Sequence, residues 1–286
     1  MSKTEFFRPE TLADALAVLE KYRQGAVVVN GGTDIVERIA GGGVEPSAIV
    51  YIHNIAELKG IREDGGFVCI GGTATYNDVL KSPLSRPYSA LCQAIREVGS
   101  PPIRVVGTPA GNIGTAVPAA DCNVALMALD AEIVLVSRGG ERTVKASEMF
   151  VSYCRTAMAE TELIKEIRIP KMPAGTGSAF LKLAKRKAQD IAQVSAGVRL
   201  TMDGDVCRGI IIALGAVSSK TIRAYSLEQL VIGKQAAAAA EAVKGVVPTE
   251  AALRSPRNKA YKEAVIGILV GRAIRQAYAE VSGGRH

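Results

Sequence analysis

The feature that most constrains this chain is a repeated junction, in which a short β-branched or aromatic run stops at glycine followed by threonine. Val27-Val28-Val29 stops at Asn30-Gly31-Gly32-Thr33-Asp34, and Phe67-Val68-Cys69-Ile70 stops at Gly71-Gly72-Thr73-Ala74-Thr75. A third loop, Gly107-Thr108-Pro109-Ala110-Gly111-Asn112-Ile113-Gly114-Thr115, has the same character. The apolar runs have the length and composition of strands. Glycine at a strand end frees the backbone for positive φ and for close approach by another group. Successive N–H groups can then point into one concavity and bind an anion without a basic side chain. One such loop alone reads better as a tight turn; three on one face would form an anion cradle large enough for a diphosphate and a sugar. Neither the G-x-G-x-x-G fingerprint after the first strand nor a G-x-x-x-x-G-K-[ST] loop is present, so a dinucleotide would have to bind by another fold.

The remaining elements follow from pattern and punctuation. Thr11 caps a helix carrying Leu12, Leu16 and Leu19, which ends near Tyr22–Gly25. Residues 49–52 form another strand after a loop holding Gly41, Gly42, Gly43 and Pro46. Residues 75–81, 87–98 and 123–129 read as helices, 131–137 as a strand, and the Gly- and Pro-rich stretch 99–121 as irregular. Strands follow near 163–169, 178–184, 194–202 and 207–217, then helices near 226–231, 235–244 and 258–281. Without regular βαβ alternation this order predicts an α+β fold rather than a doubly wound parallel sheet.

Charge supports a division near residues 171–177. Residues 1–170 carry 17 Lys and Arg against 20 Asp and Glu, whereas 171–286 carry 18 against 8. The basic excess invites a nucleic-acid reading, but aromatics are only 5% and Trp is absent, so a base-stacking platform is not expected. An acidic partner or an anionic cofactor fits the charge at least as well. No apolar run approaches the roughly 20 residues of a membrane helix, and MSKTEFFRPE has no apolar signal core. The expected compartment is the cytoplasm, with no membrane partner.

The chemistry-bearing residues are few. Cys69, Cys92, Cys122, Cys154 and Cys207 form no C-x-x-C, so free thiols are expected rather than a zinc or iron–sulfur site. The histidines are His53 and His286; no nucleophile-elbow pattern accompanies them, and His53 reads as structural. Asp121 precedes a helix, where it either caps the helix or accepts a ligand hydroxyl or amine.

Taken together, VVVNGGTDI (27–35), IGGTATYNDV (70–79), VGSPPIRVVGTPAGNI (98–113), PAADCNVALMALDA (118–131), ELIKEIRIP (162–170) and AFLKLAKRKAQDIAQVSAGVRL (179–200) resemble the FAD-binding medium subunit of the xanthine dehydrogenase and carbon monoxide dehydrogenase family of molybdenum hydroxylases. The resemblance runs in family order across nearly the whole chain. It implies an α+β fold: a two-lobed FAD-binding domain of the vanillyl-alcohol-oxidase type over 1–172, with lobes of about 1–57 and 58–172, then a smaller α+β domain over 176–284. It implies that Val28, Val29, Asn30, Gly31, Gly32, Thr33, Asp34 and Ile35 wrap the FAD diphosphate, that Thr108, Ala110, Gly111 and Asn112 form the second wrapping loop, and that Asp121 holds part of the cofactor's polar chain. Ile164 would pack against the isoalloxazine, and Lys182, near the flavin, would favour its reduced anionic form. Where the family usually reads T-I-G-G-N, this chain has Thr108-Pro109-Ala110-Gly111-Asn112, and Val105 stands where Asn is common.

The resemblance further implies non-covalent FAD in this chain, with molybdopterin and [2Fe–2S] groups on a large and a small partner subunit. Electrons would pass from the clusters through FAD to NAD or another acceptor. A stand-alone flavin-dependent oxidoreductase with its own substrate pocket is the alternative. Gly32→Val is expected to clash with the diphosphate while leaving the fold largely intact.

Overall fold

The computed structural model describes residues 4–253 and 258–283. His286 and residue 284, where the second domain was expected to end, lie outside the described residues.

The chain opens with β1 (Glu5–Phe7), α1 (Leu12–Tyr22), β2 (Ala26–Val29), α2 (Ile35–Ala40) and β3 (Ala48–Tyr51). Thr11 caps α1 as its sequence suggested, its hydroxyl accepting from the Asp14 amide at 3.1 Å. The three strands form a sheet in the order β1-β3-β2, and both pairings are parallel. Parallel connections therefore do occur here, in a lobe where β1 and α2 were too short to read from pattern. Ala15, Leu16 and Leu19 of α1 pack with Val50, Ile52, Ile55 and Leu58 to form this lobe's core.

A second unit comprises β4 (Ile61–Asp64), β5 (Phe67–Gly71), α3 (Tyr76–Lys81), α4 (Ser89–Glu97), α5 (Pro101–Val106), α6 (Pro109–Thr115), α7 (Asp121–Ala128), β6 (Glu132–Ser137), β7 (Gly140–Lys145), α8 (Ala146–Met149), β8 (Phe150–Ser152), β9 (Arg155–Thr156) and β10 (Leu163–Pro170). Its main sheet runs β4-β5-β10-β6-β7 and is antiparallel throughout. The stretch expected to be irregular instead holds α5, α6 and the start of α7. Pro101, Pro102 and Pro109 sit in the first turn of a helix, where the missing N–H has no intrahelical partner to lose, and Pro118 alone stays in a turn ahead of α7.

The third unit holds β11 (Thr176–Leu183), β12 (Val194–Asp203), β13 (Val206–Gly215), β14 (Ile222–Arg223), α9 (Tyr225–Val231), α10 (Ala236–Ala242) and α11 (Lys259–Gly283). Its antiparallel sheet runs β11-β12-β13-β14, and its core joins both central strands to α10 and α11.

Helix α7 binds the second and third units together. Every one of its residues is buried, as expected of a helix packed on all sides. Gly197 lets it settle on β12: a Cβ there would stand 3.0 Å from Val124 O and 3.0 Å from Ala128 Cβ. Asp121 therefore begins a helix with no solvent-facing side.

Candidate functional site

The first loop is held from within by Asn30. Its Nδ2 donates to Gly72 O at 2.9 Å and to Thr108 Oγ1 at 3.1 Å, and its Oδ1 lies 2.9 Å from His53 Nδ1. One side chain thus ties the ends of β2, β5 and α5–α6 together, and His53 braces it from behind. Gly31 fits because it lacks a Cβ, which would sit 1.9 Å from Val106 O. Gly32 has φ +71°, the left-handed region that disfavours a β-branched side chain. Gly32→Val would thus strain the loop itself, and the expectation of an undisturbed fold is corrected on that ground. The N–H groups of Gly31, Gly32, Thr33 and Asp34 donate no hydrogen bond to another described residue. Such a run of free amides has the donors that a backbone anion site requires.

The third loop is the start of α6. Thr108 caps it, its hydroxyl accepting from Gly111 N at 2.9 Å, and Pro109 occupies the first helical position. The lost Pro109 donor therefore leaves no gap in the helix. Ala110 is buried.

These loops form the waist between two hollows. One, of about 430 Å³, is lined by Asn30 through Asp34, Thr108, Gly111, Asn112, Asp121 and Lys182, together with Tyr76, Asp190 and Ile191. The other, of about 330 Å³, is lined by Val28, Ile35, Ala110 and Ile164, with Ile52, Met158 and Leu163. Asn30, Asp34, Gly111 and Thr115 border both. Val29 borders neither; it is buried in the sheet behind the loop. Ile164 and Lys182 are not brought together. A bulge between Ile164 and Glu166 in β10 meets Gly72, whose Cβ would lie 2.2 Å from Ile164 O.

The second Gly-Thr loop does not join the cradle as a third receptor. Gly72 borders the Ile164 hollow, but Thr73 Oγ1 donates to Leu58 O and Thr75 caps α3. Both threonines line a separate hollow. The Thr75 hydroxyl is satisfied within its own helix cap and the Thr73 hydroxyl by a carbonyl 15 residues away, partners that composition does not reveal.

At the far end of the larger hollow Lys182 Nζ stands 2.7 Å from Asp121 Oδ2, with both side chains no more than 6% exposed. Lys182 also donates to Glu97 O at 3.2 Å. Burial raises the Asp121 carboxyl to about 6, against the opposing pull of the ammonium. The charge at Lys182 is therefore balanced by Asp121 once that carboxyl is ionised, a pairing that the sequence did not disclose. Asp121 Oδ1 and Asn112 Oδ1 on this hollow, and Asn123 Oδ1 behind it, are buried without a hydrogen-bond partner among the described residues. Sequence reasoning missed Tyr76 and Ile191, which are brought here only by tertiary contact; Ile191 is 72% exposed at the rim.

Residues 2–172 match the family described as the FAD binding domain in molybdopterin dehydrogenase, and residues 179–277 match the CO dehydrogenase flavoprotein C-terminal domain. The chain belongs to this flavoprotein family. It is 32% identical over 281 residues to the carbon monoxide dehydrogenase medium chain of Hydrogenophaga pseudoflava, covering 96% of this chain and 97% of that one. It is 32% identical over 239 residues to the nicotinate dehydrogenase FAD-subunit of Eubacterium barkeri, covering 82% of this chain and 81% of that one. A solved carbon monoxide dehydrogenase from Hydrogenophaga pseudoflava superposes with TM-score 0.89 at 31% identity, over 97% of this chain and 98% of that one. Quinoline 2-oxidoreductase from Pseudomonas putida 86 superposes with TM-score 0.86 at 25% identity, over 98% of this chain and 98% of that one. The protein is an oxidoreductase subunit of the molybdenum hydroxylase family with an FAD-binding domain.

The site of this FAD-binding subunit suits the cofactor's chemistry. Four free amides meet a diphosphate's need for donors. Two orphaned oxygens that line the hollow, Asp121 Oδ1 and Asn112 Oδ1, suit the hydroxyl, amine and ring N–H donors of its organic parts. Among the described residues, no helix is long and apolar enough to cross a membrane.

Proposed function

We propose that this chain is the electron-relay subunit of a molybdenum hydroxylase, holding FAD between a [2Fe–2S] small subunit and a final acceptor, NAD or another. The run of free N–H groups from Gly31 to Asp34, at the waist of two adjoining hollows, carries this reading. The first and third loops would hold the diphosphate at that waist. The ends of the cofactor would then fall in different hollows, so Ile164 and Lys182 would serve different ends of it. The ring fits the Lys182 hollow, where Asp121 and Asn112 offer acceptors to its polar edge. The hydrocarbon lining of Val28, Ile35 and Ile164 suits the flat face of the adenine. In this reading Ile164 meets the adenine, where the resemblance implies the isoalloxazine.

FAD supplies the exchange of one- and two-electron chemistry; this chain's residues bind it, orient it and set its electrostatic surroundings. Neither hollow is lined by a cysteine or histidine, which supports non-covalent retention. The molybdopterin group would belong to a large partner subunit. We assign residues 1–172, in lobes of about 1–57 and 58–172, to cofactor binding and 176–284 to the smaller second domain, with the holoenzyme in the cytoplasm.

The test is native mass spectrometry of the complex purified through this chain, with molybdenum, iron and flavin analysis. One FAD per chain, accompanied by a large and a small subunit with both metals, is the expected result. A chain recovered alone whose flavin is bleached directly by a substrate points instead to the stand-alone oxidoreductase. A colourless chain that takes up no FAD on titration overturns both.

A further inference from the structure

The separate hollow below the second Gly-Thr loop has a chemistry of its own. It encloses about 560 Å³ and is lined by Lys59, Lys81, His53, Thr73, Thr75 and Ser82, with Asp78 as its one carboxylate. None of its lining residues borders either cofactor hollow. The ammonium groups of Lys59 and Lys81 have no ion-pair or hydrogen-bond partner among the described residues, whereas Lys165 and Lys171 are paired to Glu141 and Glu63. Asp78 does not neutralise both: its Oδ2 accepts from Thr75 N at 2.9 Å and from Thr75 Oγ1 at 2.8 Å. Ser82 Oγ accepts from Leu84 N at 3.3 Å, which leaves its O–H free to donate.

His53 joins this hollow to the cofactor loop. An amide oxygen only accepts, so the hydrogen bond to Asn30 Oδ1 places a proton on Nδ1. The other ring nitrogen, Nε2, has no partner among the described residues. Asn30 in turn is bonded to Gly72 O and Thr108 Oγ1, the backbone and side chain that set the waist.

We propose that the Lys59–Lys81–His53 hollow binds a small phosphate-bearing anion, and that its occupancy is felt at the cofactor loop through the His53–Asn30 hydrogen bond. Two unpaired ammonium groups and a free hydroxyl match a phosphate's charge and acceptor oxygens. The volume accommodates inorganic pyrophosphate or a nucleoside monophosphate. Any coupling to the cofactor is reciprocal by thermodynamic necessity. The coupling half of this proposal rests on the reading that the Asn30 loop holds FAD; the binding half does not.

The experiment uses the full chain saturated with FAD, so that the probe cannot enter the cofactor's own diphosphate site. Inorganic pyrophosphate and, in a parallel arm, adenosine monophosphate are titrated by calorimetry. Saturable one-to-one binding of at least one probe is expected, weakened at least tenfold in Lys59→Glu/Lys81→Glu. Both side chains are exposed, so this variant is expected to keep its FAD content. Tighter binding of the pyrophosphate identifies a free phosphate ligand, and tighter binding of the monophosphate a nucleotide. Binding of neither probe, or equal binding to the double variant, overturns the site. The rate of FAD release into a trap is then read with and without the bound probe. A change of at least twofold that vanishes in His53→Leu is expected; an unchanged rate in the natural chain overturns the coupling. If the chain takes up no FAD at all, the functional reading above fails, and the same titrations on the cofactor-free chain and its double variant still decide the anion site.

Discussion

Asp121 is a buried carboxyl whose stability contribution runs opposite to that of most aspartates. Its folded-state value is raised from 3.8 to about 6, chiefly by burial at the start of a helix without a solvent face. A raised value means that the folded chain binds the proton more tightly than the unfolded one. The contribution is therefore fully present below the unfolded value and is lost as pH rises through about 6. The shift corresponds to a loss of about 3 kcal/mol across that window, at 1.36 kcal/mol per unit. Asp121→Asn removes this titration, because an amide does not ionise. The assay is urea denaturation of the cofactor-free chain at half-unit steps from pH 4 to pH 7.5. Because the series begins just above the unfolded value, the natural chain should lose about 2.4 kcal/mol relative to the variant across it, with the change ending above the raised value. The comparison concerns the slopes, since stranding Lys182 shifts the variant's absolute stability at every pH. Parallel profiles would refute the reasoning and mean that water or structural relaxation keeps Asp121 ionised at no cost.

Substitutions at Gly31, Gly42 and Thr108 separate close approach, backbone strain and capping as constraints. Gly31→Ala sets a Cβ 1.9 Å from Val106 O and should abolish FAD retention, read as flavin absorbance after gel filtration. Gly42→Ala has φ +71° but nothing within 4 Å, and should keep its FAD while losing only about 1–2 kcal/mol; a fully yellow Gly31→Ala of normal stability would remove the close-approach argument. Thr108→Val deletes the acceptor for Gly111 N and Asn30 Nδ2, and should cost about 1–2 kcal/mol in chemical denaturation. Thr108→Ser should recover most of that loss; a valine variant as stable as the natural chain would contradict the assigned role of the hydroxyl.

The legibility of this protein divides along the range of its interactions. Strand ends at Gly31 and Gly71–Gly72, the Thr11 cap and the core helices were readable because they depend on local dihedral preference and on periodicity. The family was readable because its motifs are spread in order over nearly the whole chain. The helices at Pro101–Val106 and Pro109–Thr115 were not, because proline serves both to break a helix and to begin one. The partners of a polar group were less legible still. Thr73 and Thr108 occupy similar loops, yet one is absorbed by Leu58 O and the other is turned to Asn30.

The sequence by itself determined where the backbone could turn, which faces had to be buried and which loops could bind an anion, since these follow from residue type and spacing. The tertiary structure alone decided that the first and third loops border one hollow while the second turns to another, that Ile164 and Lys182 line different hollows, and that Asp121 meets Lys182 across 61 residues of chain. Those outcomes depend on how α7 settles against two sheets, a long-range packing choice on which local preference is silent.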